Sequence, residues 1–290
     1  MEGVLNIDKS GGLTSHDVVN RIRRAASIRK VGHAGTLDPL ATGVLLLCLG
    51  RATRLVEYLV GQPKIYEATI RLGQTTDTYD AEGEIVAERP LTFPDADLSP
   101  TFARFRGEIE QVPPMYSALK RGGQPLYKLA RQGIMVERPP RTVTIYGLEL
   151  LNYHSPNLTI RVACSSGTYI RSLAYDLGEA LGCGGHITAL RRTAVGEFTL
   201  ETAVPLNQLT PESLSDALQP LETAVAHLPR LILPPEAANR LYLGQTIPRE
   251  DHHPQAELVQ VFTETGLFVG LVCPRADRWQ PKKIFHPSTG

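Results

Sequence analysis

One carboxylate sits in a loop that the chain stiffens from both sides. In Gly32-His33-Ala34-Gly35-Thr36-Leu37-Asp38-Pro39-Leu40-Ala41-Thr42-Gly43, three glycines permit backbone conformations closed to other residues. Pro39 fixes its own φ and biases Asp38 toward an extended conformation. The apolar run 44–49 follows at once, so a strand must enter the core directly behind this loop. Glycine and Asp-Pro also mark ordinary turns, and local chemistry by itself leaves a plain turn and a catalytic loop both open.

Around this loop the periodicities change repeatedly. Residues 4–8 read as a first strand, 9–12 as a turn, and Ser15 as the N-cap of a helix whose Val18, Val19 and Ile22 share one face, with arginines opposite. In 66–72, Tyr66, Ala68, Ile70 and Leu72 alternate with Glu67, Thr69 and Arg71, the pattern of a half-buried strand. Segments 143–151 and 158–164 read as further strands. The turn Ser165-Ser166-Gly167 then leads into a helix with the apolar stripe Ile170, Leu173, Ala174, Leu177 and Leu181. Strands and helices mix without strict βαβ alternation, which predicts an α+β class: a mixed, largely antiparallel sheet with flanking helices.

Residues 87–100, with proline, Thr92 and acidic side chains, read as a surface connection. From 111–114 a long segment rich in turn formers and basic residues begins, which reads as a binding loop. Pro229, Pro234 and Pro235 suggest a boundary. Beyond it, a hairpin of 258–262 and 267–273 around Glu264-Thr265-Gly266 leaves room only for a small β-rich module. The expected organisation is a domain over 1–228 and a module over 229–290.

A chain of 290 residues with 42% hydrophobic content can bury a sizeable core. Thirty Lys and Arg balance thirty Asp and Glu, so any nucleic-acid binding must come from segregated charge. Such segregation is present. Arg21, Arg23, Arg24, Arg29 and Lys30 crowd one stretch and Lys120, Arg121, Lys128, Arg131, Arg138 and Arg141 another, while Glu82, Glu84, Glu88, Asp95 and Asp97 gather elsewhere. Cys48, Cys164, Cys183 and Cys273 lack Cys-x-x-Cys spacing and a paired histidine arrangement, so neither a metal site nor a disulfide framework is expected, and they read as buried thiols of a reducing compartment. The first residues lack a signal-peptide pattern and no apolar run approaches a membrane span, which predicts a cytoplasmic protein. No phosphate-loop string occurs, and no second carboxylate near Asp38 in sequence offers the pair that a glycoside hydrolase needs.

Arg171 is the sharpest local anomaly. It falls in the first turn of a helix, where the dipole disfavours a cation, so something anionic should sit nearby. Asp77 and Asp80 lie in a stretch so dense in Asp, Thr and Gly that a turn is the natural reading.

The string Gly-His-x-Gly-x-Leu-Asp-Pro-x-Ala-x-Gly, after a short basic helix and before Gly50-Arg51-Ala52-Thr53-Arg54, closely resembles the catalytic motif of the tRNA pseudouridine synthase B (TruB) family. Further motifs are similar to the same family's: Lys64-Ile65-Tyr66 through Gly83, Val162 through Leu173, and His186 through Phe198. The resemblance implies that Asp38 is the essential catalytic residue, that Arg171 lies beside it and keeps it ionised, and that Tyr66 packs against the target uracil and can help remove its C5 proton. It places Tyr169 and Leu190 in the nucleotide pocket and His33 in substrate positioning. It places Lys9 there more weakly, since Ser10 stands where the family has proline.

The segment 111–141, with Lys120, Arg121, Lys128, Arg131 and Arg141 interleaved with Tyr116 and Tyr127, is similar to the family's mobile RNA-binding loop. Gly244-Gln245 and the last hairpin resemble its PUA-like C-terminal module. The implied activity is isomerisation of uridine 55 in the T arm of tRNA, with the nucleotide flipped out of its stack. It needs no cofactor and no metal. A tRNA stem-loop is the implied partner, and a monomer without an obligate protein partner is expected. The alternatives are an RNA-binding or tRNA-folding protein and an RNA-guided relative acting on ribosomal RNA.

Overall fold

The computed structural model describes residues 1–92 and 98–287. Asp95 and Asp97 of the acidic group, and most of the middle of the 87–100 connection, lie outside the described residues. The chain runs through β1 (Gly3–Lys9), α1 (Ser15–Ala26), β2 (Val31–Ala34), β3 (Thr42–Leu49) and β4 (Lys64–Leu72). It continues through β5 (Gly107–Gln111), β6 (Arg141–His154), β7 (Asn157–Cys164), α2 (Ile170–Ala180) and β8 (Gly185–Val195). Among the described residues these strands and two short ones, β9 (Phe198–Thr199) and β10 (Val204–Pro205), form one ten-stranded sheet with the path β10-β1-β3-β8-β4-β7-β6-β5. Its pairings are antiparallel except β1 with β10 and β3 with β8. This is the expected α+β architecture.

The helix start differs from the expectation by one residue. Thr14, not Ser15, caps α1: its hydroxyl accepts from the Asp17 N–H at 3.1 Å, and the Asp17 carboxylate accepts from the Thr14 N–H at 2.9 Å. Ser15 is thereby moved into the first turn and buried. Its Oγ accepts from the Leu37 N–H at 2.8 Å and donates to the Leu37 carbonyl at 3.1 Å. The hydroxyl therefore pins the loop one residue before Asp38.

Strand β3 explains its continuous apolar run by burial on both faces. Leu45, Leu47 and Leu49 join Val18, Val19 and Ile22 of α1 and Leu173 and Leu177 of α2 in one cluster, while Val44, Leu46 and Cys48 join a second cluster behind the sheet. Gly43, at the start of that strand, has φ +100° and no room for a side chain, since an added Cβ would lie 2.2 Å from the Arg192 carbonyl oxygen. Gly43→Ala combines a steric clash with a forbidden φ. It is expected to lower stability by roughly 3 kcal/mol or more in urea unfolding.

The C-terminal segment forms its own five-stranded sheet, in which the expected hairpin appears as Val259–Thr263 and Phe268–Arg275. Pro234 and Pro235 do not break the chain there. They cap and open the helix α3 (Pro235–Tyr242), a place where a missing N–H costs nothing. Nor is the module merely tethered. Phe262, Phe268, Leu271 and Phe285 belong to the same cluster as Val44, Leu46 and Cys48. Arg54, just past β3, donates to the Ile284 carbonyl at 2.7 Å and lies over the Phe285 ring at 4.6 Å. Among the described residues, no helix is long and apolar enough to cross a membrane.

Candidate active site

The stiff loop, β4, β8 and the turn ahead of α2 enclose a cavity of about 230 Å³. Asp38, Tyr66, Tyr169, Arg171 and Leu190, separated by up to 152 positions in the chain, all line it. Arg171 stands at N2 of α2 and its guanidinium is almost completely buried. Its Nε lies 3.0 Å from Asp38 Oδ2, and Nη1 lies 3.2 Å from Asp80 Oδ2 and donates to the Thr78 carbonyl at 3.1 Å. Nη2 donates to the Tyr116 carbonyl at 2.6 Å. The anion demanded by the helix dipole is therefore present twice.

Asp80 departs from the turn-only reading. It does close a turn, but its carboxylate is buried and fully engaged: Oδ1 accepts from the Thr78 hydroxyl at 2.6 Å and the Glu82 N–H at 3.0 Å, while Oδ2 faces Arg171. With no oxygen facing the cavity free of a partner, Asp80 is a counter-ion and not a second acid/base group. Sequence spacing hid this role, because Asp80 and Arg171 are brought together only by the fold.

Asp38, by contrast, faces the cavity. Its side chain keeps 36% of its surface exposed at the cavity while the walls remove most of its water. Burial pushes its carboxyl above the ordinary value; Arg171 pulls it back, Asp80 pushes it further up and Lys9 pulls it down, and the balance is upward. The ion pair with Arg171 moderates the effect of burial without cancelling it.

Tyr66 projects from the buried face of β4, and burial holds its phenol above the ordinary value, with the Arg192 guanidinium opposing. Tyr169 is the N-cap residue of α2 and is clamped by Gln111, whose side chain accepts from the Tyr169 N–H at 2.7 Å and donates to its carbonyl at 3.0 Å. Ser117 and Ala118 bring the basic segment to the rim of the cavity. On that segment Lys120, Arg121, Lys128, Arg131 and Arg141 are exposed, and the Arg131 guanidinium lies 5.7 Å from the Tyr127 ring centre.

Two sequence-derived residues fall elsewhere. Lys9 is fully buried and does not line the cavity; its Nζ donates to the carbonyls of Ser10, Leu13 and Pro39 at 3.0, 2.7 and 3.3 Å. Burial pulls the amine down to about 8, and its place is behind the loop, holding Pro39. His33 lies on β2 outside the cavity lining, half-buried, with burial lowering its pKa.

Two charged residues of the lining were not singled out from sequence. Arg192 is buried, with Nε donating to the Val44 carbonyl at 2.7 Å and Nη2 to the Gly35 carbonyl at 3.1 Å, so it braces both ends of the loop. Period-two alternation could have found it, since Leu190 and Arg192 share one face of β8. Lys64 lines the cavity as well, drawn down to about 8 by burial.

A carboxylate held by one buried arginine, facing a cavity walled by tyrosines and bordered by a basic loop, suits attack on, or proton removal from, a flipped nucleotide. The TruB family pseudouridylate synthase N-terminal domain matches residues 23–170, the tRNA pseudouridylate synthase B C-terminal domain 171–238, and a pseudouridine synthase II TruB C-terminal domain 229–285.

The chain belongs to the TruB family.

A TruB-family relative from Dehalococcoides mccartyi, named tRNA pseudouridine synthase B, is 48% identical over 98% of this chain and 97% of its own length. One of the same name from Pseudomonas aeruginosa is 47% identical over 93% of this chain and 91% of its own. Among solved structures, the TruB chain superposes with TM-score 0.74 on a protein of an H/ACA RNP bound to a substrate RNA containing 2'-deoxyuridine, at 28% identity and covering 99% of this chain and 86% of that one. A Cbf5-Nop10-Gar1 complex gives TM-score 0.74 at 30% identity, covering 98% and 85%. Family and fold make this TruB member an RNA pseudouridine synthase.

Proposed function

We propose that the chain isomerises uridine 55 in the T arm of tRNA to pseudouridine, with Asp38 as the catalytic carboxylate. The single observation that carries the reading is the Asp38 carboxylate, the one that lines the cavity among the described residues, held at 3.0 Å by Arg171. The reaction breaks the bond from ribose C1′ to N1 and joins C1′ to C5 of the same ring. Nothing is oxidised and no group is donated, so one ionised carboxylate suffices, either by attacking C1′ or by taking a ribose proton to give a glycal. Arg171 favours the ionised form. Tyr66 packs against the uracil; to help remove the C5 proton it must first lose its own, which burial opposes on balance and Arg192 beside it eases. Tyr169 and Leu190 close the pocket, and the exposed cations from Lys120 to Arg141 meet the phosphates of the stem-loop.

The names of the relatives and their near-complete coverage support tRNA over a guide-directed ribosomal substrate. The reading includes a monomer acting in the cytoplasm, with residues 1–228 as the catalytic domain and 229–290 as a PUA-like RNA-binding module. His33 and Lys9 act in it by shaping the loop around the nucleotide. Tritium release from a T-arm transcript carrying 5-tritiated uridine tests the proposal. Release at the T-loop uridine is expected; tight binding without release sinks it in favour of an RNA-binding or guide-dependent role.

A further inference from the structure

Thr78 and Asp80, whose carbonyl and carboxylate hold Arg171, flank a tyrosine in a conformation that tyrosines avoid. Tyr79 has φ 63°, in the left-handed region. A bulky residue stays there only when its surroundings enforce it. Three contacts do so. The Tyr79 ring stacks on Tyr175, with centroids 4.3 Å apart and planes inclined by 20°. Its N–H donates to the Thr76 carbonyl at 3.2 Å, and its carbonyl accepts from the Ile187 N–H at 3.1 Å.

Tyr175 lies four residues after Arg171 on α2, so the two share a helix face. The turn 78–80 thus grips one face of α2 at two successive levels: polar contacts to Arg171 and an aromatic stack one turn further on. Neither contact alone fixes the rotation of the turn about the other. Together they aim the Thr78 carbonyl and the Asp80 carboxylate at the same guanidinium group.

We propose that Tyr79 is a positioning residue: its stack on Tyr175 locks the left-handed turn that holds Arg171 in the plane from which Nε reaches Asp38. The proposal rests on the reading of Asp38 as the catalytic carboxylate. The charged and titratable groups that face Asp38 are Arg171, Asp80, Lys9, Glu82, Tyr66 and Tyr169. Those that face Tyr79 are Tyr175, Arg138 and Asp176. Of the groups facing Asp38, Arg171 and Asp80 are touched directly by the turn that carries Tyr79, so a loosened turn acts on Asp38 through them.

The test compares the full-length protein with Tyr79→Phe, Tyr79→Gly and Tyr175→Leu, measuring kcat, KM and the pH profile of kcat on the T-arm transcript, with folding followed by circular dichroism. Tyr79→Gly is the informative variant, because glycine adopts the left-handed turn freely and loses the ring together with the hydroxyl that faces Arg138, a loss that Tyr79→Phe tests by itself. Expected for Tyr79→Gly and Tyr175→Leu is a fall in kcat of about ten-fold or more with KM within about three-fold, the signature of a group acting on the reaction rather than on binding. The acid limb of the kcat profile should move to higher pH, since a guanidinium held less well stabilises the Asp38 anion less. Tyr79→Phe keeps the stack and should stay within about two-fold of wild type.

Wild-type kcat and an unmoved acid limb in Tyr79→Gly overturn the proposal, as does a raised KM with unchanged kcat. Equal losses in Tyr79→Phe and Tyr79→Gly also overturn it, by placing the effect in the hydroxyl. If Tyr175→Leu fails to fold, Tyr79→Gly decides. An inactive wild-type protein would instead refute the underlying reaction, independently of Tyr79.

Discussion

Asp38→Asn should abolish tritium release while leaving a protein that melts no lower than wild type. Replacing the carboxylate with an amide removes the one carboxylate that, among the described residues, lines the cavity, and losses on the order of ten-thousand-fold or more are typical when such a centre is deleted. The stability half follows from the direction of the Asp38 shift. Its folded pKa lies above the ordinary value, so the folded state binds the proton more tightly than the unfolded chain does. Protonation therefore stabilises the fold as pH falls through the window between the raised folded value and the ordinary one near 3.8, and the anion present at neutral pH works against folding. Asn carries no such charge. Single-turnover tritium release and thermal melting at pH 7 check both halves; retained release would overturn the first, and a marked drop in Tm would overturn the second by showing that the Asp38 pair with Arg171 also supports the fold.

The second large effect is expected at Arg171. Arg171→Met leaves Asp38 and Asp80 on either side of an apolar chain, with the Thr78 and Tyr116 carbonyls stripped of their donor. Removing one member of a buried ionic group typically costs about 3–5 kcal/mol because the partner charge remains. Urea unfolding should therefore show a large fall in midpoint, accompanied by loss of activity. Arg171→Lys should rescue little, since one ammonium cannot reach four acceptors arranged around a planar fork. Adding Asp80→Asn to Arg171→Met should recover part of the stability by removing one orphaned charge, but none of the activity. Additive losses in the double variant would disprove the network.

Much of this site could be read from the chain, and the reasons are local. The strand carrying Tyr66 announces itself by strict alternation, and the loop carrying Asp38 by its glycines and Asp-Pro. The misplaced charge of Arg171 at a helix start pointed to an anion before any anion was located. What sequence could not supply is distance. Asp80 looks like one more turn aspartate until the fold sets it 3.2 Å from Arg171. Nor does the sequence reveal that the Lys9 amine donates to three carbonyls behind the loop. Arg192 sits beside Arg191, and alternation from Leu190 is the one sequence signal that tells which of the two adjacent arginines turns inward. The one-residue shift from Ser15 to Thr14 at the helix cap has the same origin: both hydroxyls suit a cap, and the tie between Ser15 and Leu37 decides between them.

The back of β3 has a further consequence. The segment that follows β3 is fastened to the C-terminal sheet by Arg54 and by the Lys283–Glu57 ion pair at 2.9 Å, and aromatic residues of that sheet share one apolar cluster with the far side of the strand. The module is thus a load on the catalytic half as well as a neighbour of it. Phe262, Phe268 and Phe285 belong to the apolar cluster that also holds Leu46 and Cys48, so removing the tail would open part of the core behind the loop to water.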